Sequence, residues 1–346
     1  MITDIDIVIA TDDGYVDYAL VTIWSIVEKI APTRKVNVYV IHEALLDSSC
    51  DKMRSLESDF PNLIVSFLNI RERLNNIELG GYFLSSVTYY RAFLASLLPN
   101  LNKVLYVDCD VIAIEDVTPL FELDVSNYSV AAVQDRGISM GGAWIDADRK
   151  TLINHGLKFT HYFNAGVILF NLDYMRKNRM EQELEELIKR KDLIWQDQDA
   201  LNIACRDTWL ELDDEWNQTI HMYSDNDLSN QSRFEKEKVL NKISLCHFAT
   251  PAKPWLSFYS KYSLEWWAVA KRAGMMQIIK DRSVKNAESV KNDVKKKSLE
   301  YIYFYLSKLL PSKFLRKKLF ARWKTLNDRR TMAENFLLNI DYLSTI

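Results

Sequence analysis

The sequence predicts an α/β fold on a mostly parallel sheet, and three observations carry that expectation. Short β-branched apolar runs alternate with longer segments of helical length, at Ile5 to Ala10, Lys35 to Ile41, Asn62 to Leu68 and Lys103 to Val107. Strands separated by helices argue for parallel pairing covered on both faces, with ligands beyond the carboxyl ends of the strands. Only 9 glycines and 7 prolines occur in 346 residues, against usages near ~7% and ~5%, so long regular elements are expected. With 48% hydrophobic and 26% charged residues, the chain can bury one large core or two modest ones, and disorder over most of its length is excluded.

The elements follow in order. The run Ile5 to Ala10 ends at the turn cluster Thr11-Asp12-Asp13-Gly14, and Val16 to Ile30 is long and apolar enough for a helix. Helical stretches near Asp47 to Ser58 and Thr88 to Leu98 separate the next strands. After Asp110 the elements are mixed: strand-like Tyr128 to Gln134 and Phe163 to Phe170, a charged helix at Met180 to Lys191, a helix from Gln198 to Arg206, and a strand at Lys242 to Cys246. Beyond Trp255 come an aromatic-rich helix around Tyr262 to Ala273, a Lys-rich linker, then helices at Ser298 to Leu310 and Phe314 to Lys324. The division expected is an α/β domain over residues 1–260 and a helical, basic, aromatic-rich extension over 261–346.

The formal net charge of −3 hides an asymmetry, because Lys271 to Arg330 holds 18 Lys or Arg against 5 Asp or Glu. The cysteines Cys50, Cys109, Cys205 and Cys246 fall in no metal-finger spacing and read as buried, reduced thiols, which points to the cytosol. The start, MITDIDIVIA, carries acids where a secretion signal needs a basic region, so export is not expected. No stretch approaches the ~20 apolar residues of a membrane span.

The strongest chemical feature is Asp108-Cys109-Asp110 at the end of the strand Lys103 to Val107, where side chains at i and i+2 share one side. Hard oxygen ligands at a strand end suit Mg²⁺ or Mn²⁺ shared with a nucleotide. A solvated acidic turn is the plain alternative. A phosphatase motif, with a nucleophilic first Asp and an acid second, is another; against it, the motif follows about a hundred residues of β-α structure and Ile112 stands where a small hydroxyl is usual. His247, in the run HFATPAKPW, adds an imidazole that tilts the metal toward Mn²⁺, and Lys253 can neutralise a leaving phosphate. Asp197 and Asp199 in WQDQD read as first-turn acids facing a helix dipole, and FNAGV as a strand with a small residue for close packing.

Taken together, IVIATDDGY, TYYRAFLASLLP before KVLYVDCDVI, FNAGVILFN, WQDQDALN and HFATPAKPW resemble glycosyltransferase family 8 in order and spacing, from Ile5 to about Trp255. The resemblance is to its bacterial lipooligosaccharide galactosyltransferases and lipopolysaccharide glucosyl- and galactosyltransferases. It implies a GT-A fold, a Rossmann-like nucleotide-binding domain with a DxD metal site, and retaining transfer of a hexose from UDP-galactose or UDP-glucose. Carried over by motif, Asp108, Asp110 and His247 hold Mn²⁺, with Mg²⁺ as the alternative ion. Thr11, Asp12 and Tyr15 meet the uridine, with Asp12 bonded to the uracil and Tyr15 stacked on it. Arg91, Asp197 and Asn164 surround the donor sugar, while Cys109, Thr250 and Lys253 lie along the diphosphate. Gln198 falls on the β-face of the sugar near the anomeric carbon; an amide is a poor nucleophile beside the carboxylates of retaining glycosidases, so a supporting role is expected of it. Two residues depart from the family pattern: Gly14 replaces an Asn beside the uridine aromatic, and Thr250 replaces a Gly at the diphosphate.

The tail, YIYFYLSKLL followed by PSKFLRKKLFARWK, mixes aromatics and leucines with Lys and Arg, as interfacial helices on anionic lipid do. Docking at the cytoplasmic face of the cell membrane is the functional expectation and a packed helical subdomain the plain one. No recognisable nucleic-acid-binding module accompanies the charge. The expected acceptor is a surface glycan such as lipooligosaccharide, with a protein-linked adhesin glycan as the alternative; a non-catalytic UDP-binding scaffold and a self-glycosylating primer are the other classes.

Overall fold

The computed structural model describes residues 4–75, 77–80, 86–140, 152–158, 160–219, 242–249, 253–258, 262–293, 298–299, 302–304, 307–308 and 313–345. These divide into two compact units, with the change falling between His247 and Phe248.

The first unit opens as β1 (Ile5–Ala10), α1 (Val16–Val27), β2 (Val36–His42), α2 (Asp47–Arg54) and β3 (Leu63–Asn69). It continues through β4 (Lys103–Val107), β5 (Val111–Ala113), β6 (Val130–Gln134), β7 (Phe163–Asn171), helices α3 (Met180–Ile188) and α4 (Gln196–Cys205), β8 (Trp209–Leu212), β9 (Gln218–Thr219) and β10 (Leu245–His247). Seven strands form one sheet in the order β3-β2-β1-β4-β7-β6-β8, and β7 alone runs against the others. Strands buried on both faces need near-continuous apolar runs. Accordingly every residue of FNAGVILFN in β7 is buried, as are Val104 to Val107 of β4.

Register positions the site. Because β7 is antiparallel to β4, with Val107 opposite Val167, the first residues of FNAG lie beside the turn that leaves β4. A second, three-stranded sheet, β5-β10-β9, pairs His247 with Val111 and with Thr219. Helix α1 braces that turn from below: Thr22 Oγ1 donates to the Cys109 carbonyl at 3.0 Å, and the Ala113 N–H donates to Ser25 Oγ at 2.9 Å.

Several boundaries differ from the expectation. Thr88 to Leu98 is a 3₁₀ helix over Ser86–Phe93 followed by one α-turn at Leu94–Leu97. Three-residue winding puts Thr88 and Arg91 on one face, where Arg91 Nε donates to the Thr88 carbonyl at 3.0 Å. Helix α4 starts two residues early, at Gln196, whose φ of 50° is left-handed. That conformation is uncommon for a residue with a side chain and breaks the chain direction just before Asp197 and Gln198. The strand expected at Lys242 to Cys246 is shorter and shifted, Leu245–His247.

In the second unit, α5 (Tyr262–Arg272), α6 (Met276–Asn292) and α7 (Lys313–Asn339) follow. Helix α6 replaces most of the expected Lys-rich linker: Ile279, Ser283 and Ala287 recur every four residues and are all buried, a stripe the lysine count concealed. Helix α7 continues well past Lys324. Trp255, Trp266, Trp267 and Phe336 are buried together, with Phe258 stacked on Phe336 at 5.3 Å and Trp267 Nε1 donating to the Pro254 carbonyl at 3.1 Å. The aromatics around the KPW turn are therefore core residues.

Candidate active site

The turn after β4 presents Asp108 and Asp110, and β10 brings His247 alongside them. One ligand atom from each lies within 4.8 Å of the others. His247 Nε2 stands 3.2 Å from Asp110 Oδ1 and 4.0 Å from Asp108 Oδ2. Two carboxylates and one imidazole aimed at a common point fit a divalent ion such as Mn²⁺ or Mg²⁺. The other ring nitrogen, Nδ1, is 2.8 Å from Asn217 Oδ1. Gly166 makes room for the ring: a Cβ there would lie 2.1 Å from His247 Cε1, nearer than any carbon contact allows. Its N–H is taken by Asn164 Oδ1 at 2.9 Å, and its carbonyl accepts from the Asp108 N–H at 2.8 Å.

Arg91 is buried and ties two acids together. Its Nη2 is 3.1 Å from Asp108 Oδ1 and its Nε 3.0 Å from Asp197 Oδ2, while Nη1 donates to the Ala165 carbonyl. The guanidinium lies 4.4 Å over the Tyr106 ring, and the Tyr106 hydroxyl donates to Asp108 Oδ1 at 2.8 Å. Burial alone would lower the Arg91 pKa, but Asp108, Tyr106 and Asp197 outweigh it and hold the group above its ordinary value. Burial pushes the Asp197 carboxyl up to about 6, against the pull of Arg91.

Gln198 is engaged at both ends: Oε1 accepts from the Ala165 N–H at 2.9 Å and Nε2 donates to Asp135 Oδ2 at 3.2 Å. Asn164 Nδ2 donates to the same Asp135 oxygen at 3.1 Å. Asp199, by contrast, turns away from the cluster and holds the helix entry, accepting from Tyr162 Oη at 2.6 Å and from the N–H groups of Ile194 and Trp195.

At the carboxyl end of β1, Thr11 is buried and its N–H bonds the Ile41 carbonyl at 3.1 Å. Asp12 and Tyr15 are exposed, with Asp12 Oδ1 accepting from the Tyr15 N–H at 3.1 Å. Gly14 sits between them, and a Cβ there would stand 3.2 Å from Asp12 Oδ1. Cys109 points inward: its Sγ donates to the Ala10 carbonyl at 3.1 Å, and burial raises its thiol pKa. In the second unit, Lys253 Nζ donates to the Phe248 carbonyl at 2.6 Å. Thr250 lies outside the described residues.

Asp108, Asp110, His247, Arg91, Asp197, Asn164 and Gln198 are thus joined through one polar network. The sequence reading missed Asp135 and Asn217. Each is an ordinary polar residue after a strand or in a 3₁₀ turn, and only the sheet register carries it to the site.

The mixed, mostly parallel sheet with its Asp-Asp-His cluster has the architecture of the GT-A fold. The chain belongs to glycosyl transferase family 8, whose profile matches residues 6–258. Among curated relatives it is 26% identical to General stress protein A of Bacillus subtilis, over 72% of this chain and 87% of that one. It is 24% identical to the lipopolysaccharide 1,2-glucosyltransferase of Escherichia coli, over 83% and 82%. Glycosyltransferase GlyA of Streptococcus pneumoniae is 29% identical over 75% of this chain, but the match spans only 34% of GlyA. The apo structure of the bifunctional glycosyltransferase WbbM aligns with a TM-score of 0.72 at 22% identity, over 82% of this chain and 52% of that one. An active-site mutant of LgtC aligns with a TM-score of 0.64 at 24% identity, over 78% and 96%; LgtC, a galactosyltransferase, has also been solved with donor and acceptor sugar analogues.

Proposed function

We propose that this chain is a retaining, Mn²⁺-dependent hexosyltransferase that moves galactose or glucose from a UDP-sugar to a growing surface glycan such as lipooligosaccharide. The observation that carries the reading is the Asp108-Asp110-His247 cluster beside the buried Arg91–Asp197 pair, a cation-binding group next to a group suited to sugar hydroxyls. The lipopolysaccharide glucosyltransferase among the relatives supports the acceptor class.

In this reading Asp108, Asp110 and His247 hold the ion, which when bound supplies electrostatic stabilisation to the departing diphosphate. Asp12 bonds the uracil and Tyr15, 44% exposed, offers its ring for stacking. Thr11 fixes the turn that carries both. By family resemblance alone, Cys109, Thr250 and Lys253 belong to the donor-binding set, with Lys253 neutralising the leaving charge. Arg91, Asp197 and Asn164 orient the hexose. The bond from the anomeric carbon to the phosphate oxygen breaks as the acceptor hydroxyl bonds the same face, and its proton passes to a β-phosphate oxygen of departing UDP. Gln198 supports the oxocarbenium-like centre rather than attacking it; its amide oxygen already accepts the Ala165 N–H.

The remaining expectations belong to the same proposal: a catalytic domain over 1–260, a cytoplasmic location, and docking of the 261–346 region on an anionic membrane face. Ile302 and Phe320 are about half exposed, and Lys308 lies 4.2 Å over the Phe304 ring, an arrangement suited to an interface. Among the described residues no helix is long and apolar enough to cross a membrane.

The test is donor hydrolysis without acceptor, followed by rapid proton NMR with UDP-α-galactose, UDP-α-glucose and UDP-N-acetylglucosamine in Mn²⁺. One hexose donor is expected to react and to release the α-hexose first. Initial release of the β-anomer contradicts retention.

A further inference from the structure

We infer that Asn217 is a positioning residue: a hydrogen-bond relay anchored at Asp135 makes it hold His247 in the tautomer whose Nε2 lone pair faces Asp108 and Asp110. The value of that tautomer to the enzyme rests on the cation-binding reading above; the relay itself does not.

The relay has a direction because two of its members cannot reverse roles. The Asp135 carboxylate only accepts, and the Gly166 backbone N–H only donates. Asn164 lies between them, with Nδ2 3.1 Å from Asp135 Oδ2 and Oδ1 2.9 Å from the Gly166 nitrogen, so its amide orientation is fixed at both ends. The same Asn164 Oδ1 is 2.9 Å from Asn217, which must therefore turn its Nδ2 toward it. Asn217 Oδ1 is left facing His247 Nδ1 at 2.8 Å, and an acceptor there requires Nδ1–H.

A neutral imidazole carries one proton, so Nε2 keeps a lone pair, 3.2 Å from Asp110 Oδ1. The opposite tautomer would need the Asn217 amide turned over. Its oxygen would then press on Asn164 Oδ1, and two buried hydrogen bonds would be lost together. Asn164, Asn217 and His247 are all buried, which leaves little room for water to repair the chain. Gly166 closes the remaining freedom, since its missing side chain seats the ring against β7. Gln198 Nε2 shares Asp135 Oδ2 with Asn164, so the anchor of the histidine relay also holds Gln198.

The experiment uses the full chain, metal-free and labelled with ¹⁵N-histidine, at a pH raised until the His247 ring nitrogens show the shifts of a neutral imidazole. Long-range ¹H–¹⁵N correlation reads the tautomer, and loss of signals in His247→Gln assigns them. Wild type is expected to show Nδ1–H and unprotonated Nε2. Asn217→Leu, close in size but unable to accept, is expected to lose that preference and to weaken Mn²⁺ binding by about 10- to 100-fold in an EPR titration. Asn217→Asp keeps an acceptor for Nδ1–H, though it gives up the hydrogen bond to Asn164 Oδ1, and is expected to recover the tautomer. An Nε2–H tautomer in wild type overturns the inference, as does a folded Asn217→Leu chain with unchanged tautomer and Mn²⁺ affinity. The wild-type spectrum decides alone if Asn217→Leu does not fold. A wild type with the Nδ1–H tautomer that binds no Mn²⁺ upholds the relay and overturns the metal reading instead.

Discussion

Gly166 lies flat beneath the His247 imidazole, so close that a methyl group on its α-carbon would stand 2.1 Å from Cε1 of the ring. Hydrogen bonds hold the glycine on both sides, from the Asp108 N–H to its carbonyl and from its own N–H to the Asn164 side-chain oxygen, so the ring must move instead. Gly166→Ala is expected to cost about 1–3 kcal/mol of stability, the range for overpacking a core. It is also expected to weaken Mn²⁺ binding at least about tenfold, because orientation of the ligand is lost. Thermal melts and EPR titration of the same sample separate the two effects.

Arg91 joins Asp108 to Asp197 and also binds the Ala165 carbonyl. A lysine offers a single point of charge and cannot span both acids with the planar fork. Arg91→Lys is expected to leave one buried carboxylate poorly paired, a loss of about 3 kcal/mol in urea unfolding. A change below about 0.5 kcal/mol would mean that the two acids find other partners.

Asp197 sets a pH dependence. Its folded pKa is raised to about 6 by burial, so between the unfolded value near ~4 and that point the native state binds the proton more tightly. Its contribution to stability is therefore fully present below about pH 4 and is lost as pH rises to about 6. Metal-free wild type, measured against Asp197→Asn, is expected to lose about 3 kcal/mol across that window. A difference that stays flat between those values contradicts the burial of this carboxyl.

Much of this was legible in the sequence. The β-α alternation up to Lys103, the DCD turn and the small residue of FNAGV are local signals, and the fold places each where such a signal belongs. Family motifs added Arg91, which has no local signature, to the His247 and Asp197 that their own runs had already offered. Asp135 and Asn217 stayed hidden because they reach the site only through pairings of strands distant in sequence, β6 with β7 and β9 with β10. Helix α6 was hidden for another reason: Lys280, Lys285 and Lys291, with the run Lys295 to Lys297 just after it, mark the stretch as a linker, while three small or aliphatic residues decide its packing.

Gln198 is held by the Ala165 N–H and by Asp135. If it supports the reacting centre without bonding to it, Gln198→Ala is expected to lower kcat by about 100- to 1000-fold, the scale of one lost electrostatic contact. UDP and Mn²⁺ affinities are expected to hold within about threefold. Complete loss of turnover with intact binding would instead mark the amide as a nucleophile.

The most direct measurement is UDP release from UDP-galactose and UDP-glucose by wild type and Asp110→Ala, with Mn²⁺ or with EDTA. Slow donor hydrolysis needs no acceptor. Release from one hexose donor that falls at least about 100-fold both with EDTA and in Asp110→Ala is expected, since the same cluster then supplies the charge stabilisation. Equal release with Mn²⁺ and with EDTA, or full activity in Asp110→Ala, would contradict a metal-dependent transferase built on Asp108, Asp110 and His247.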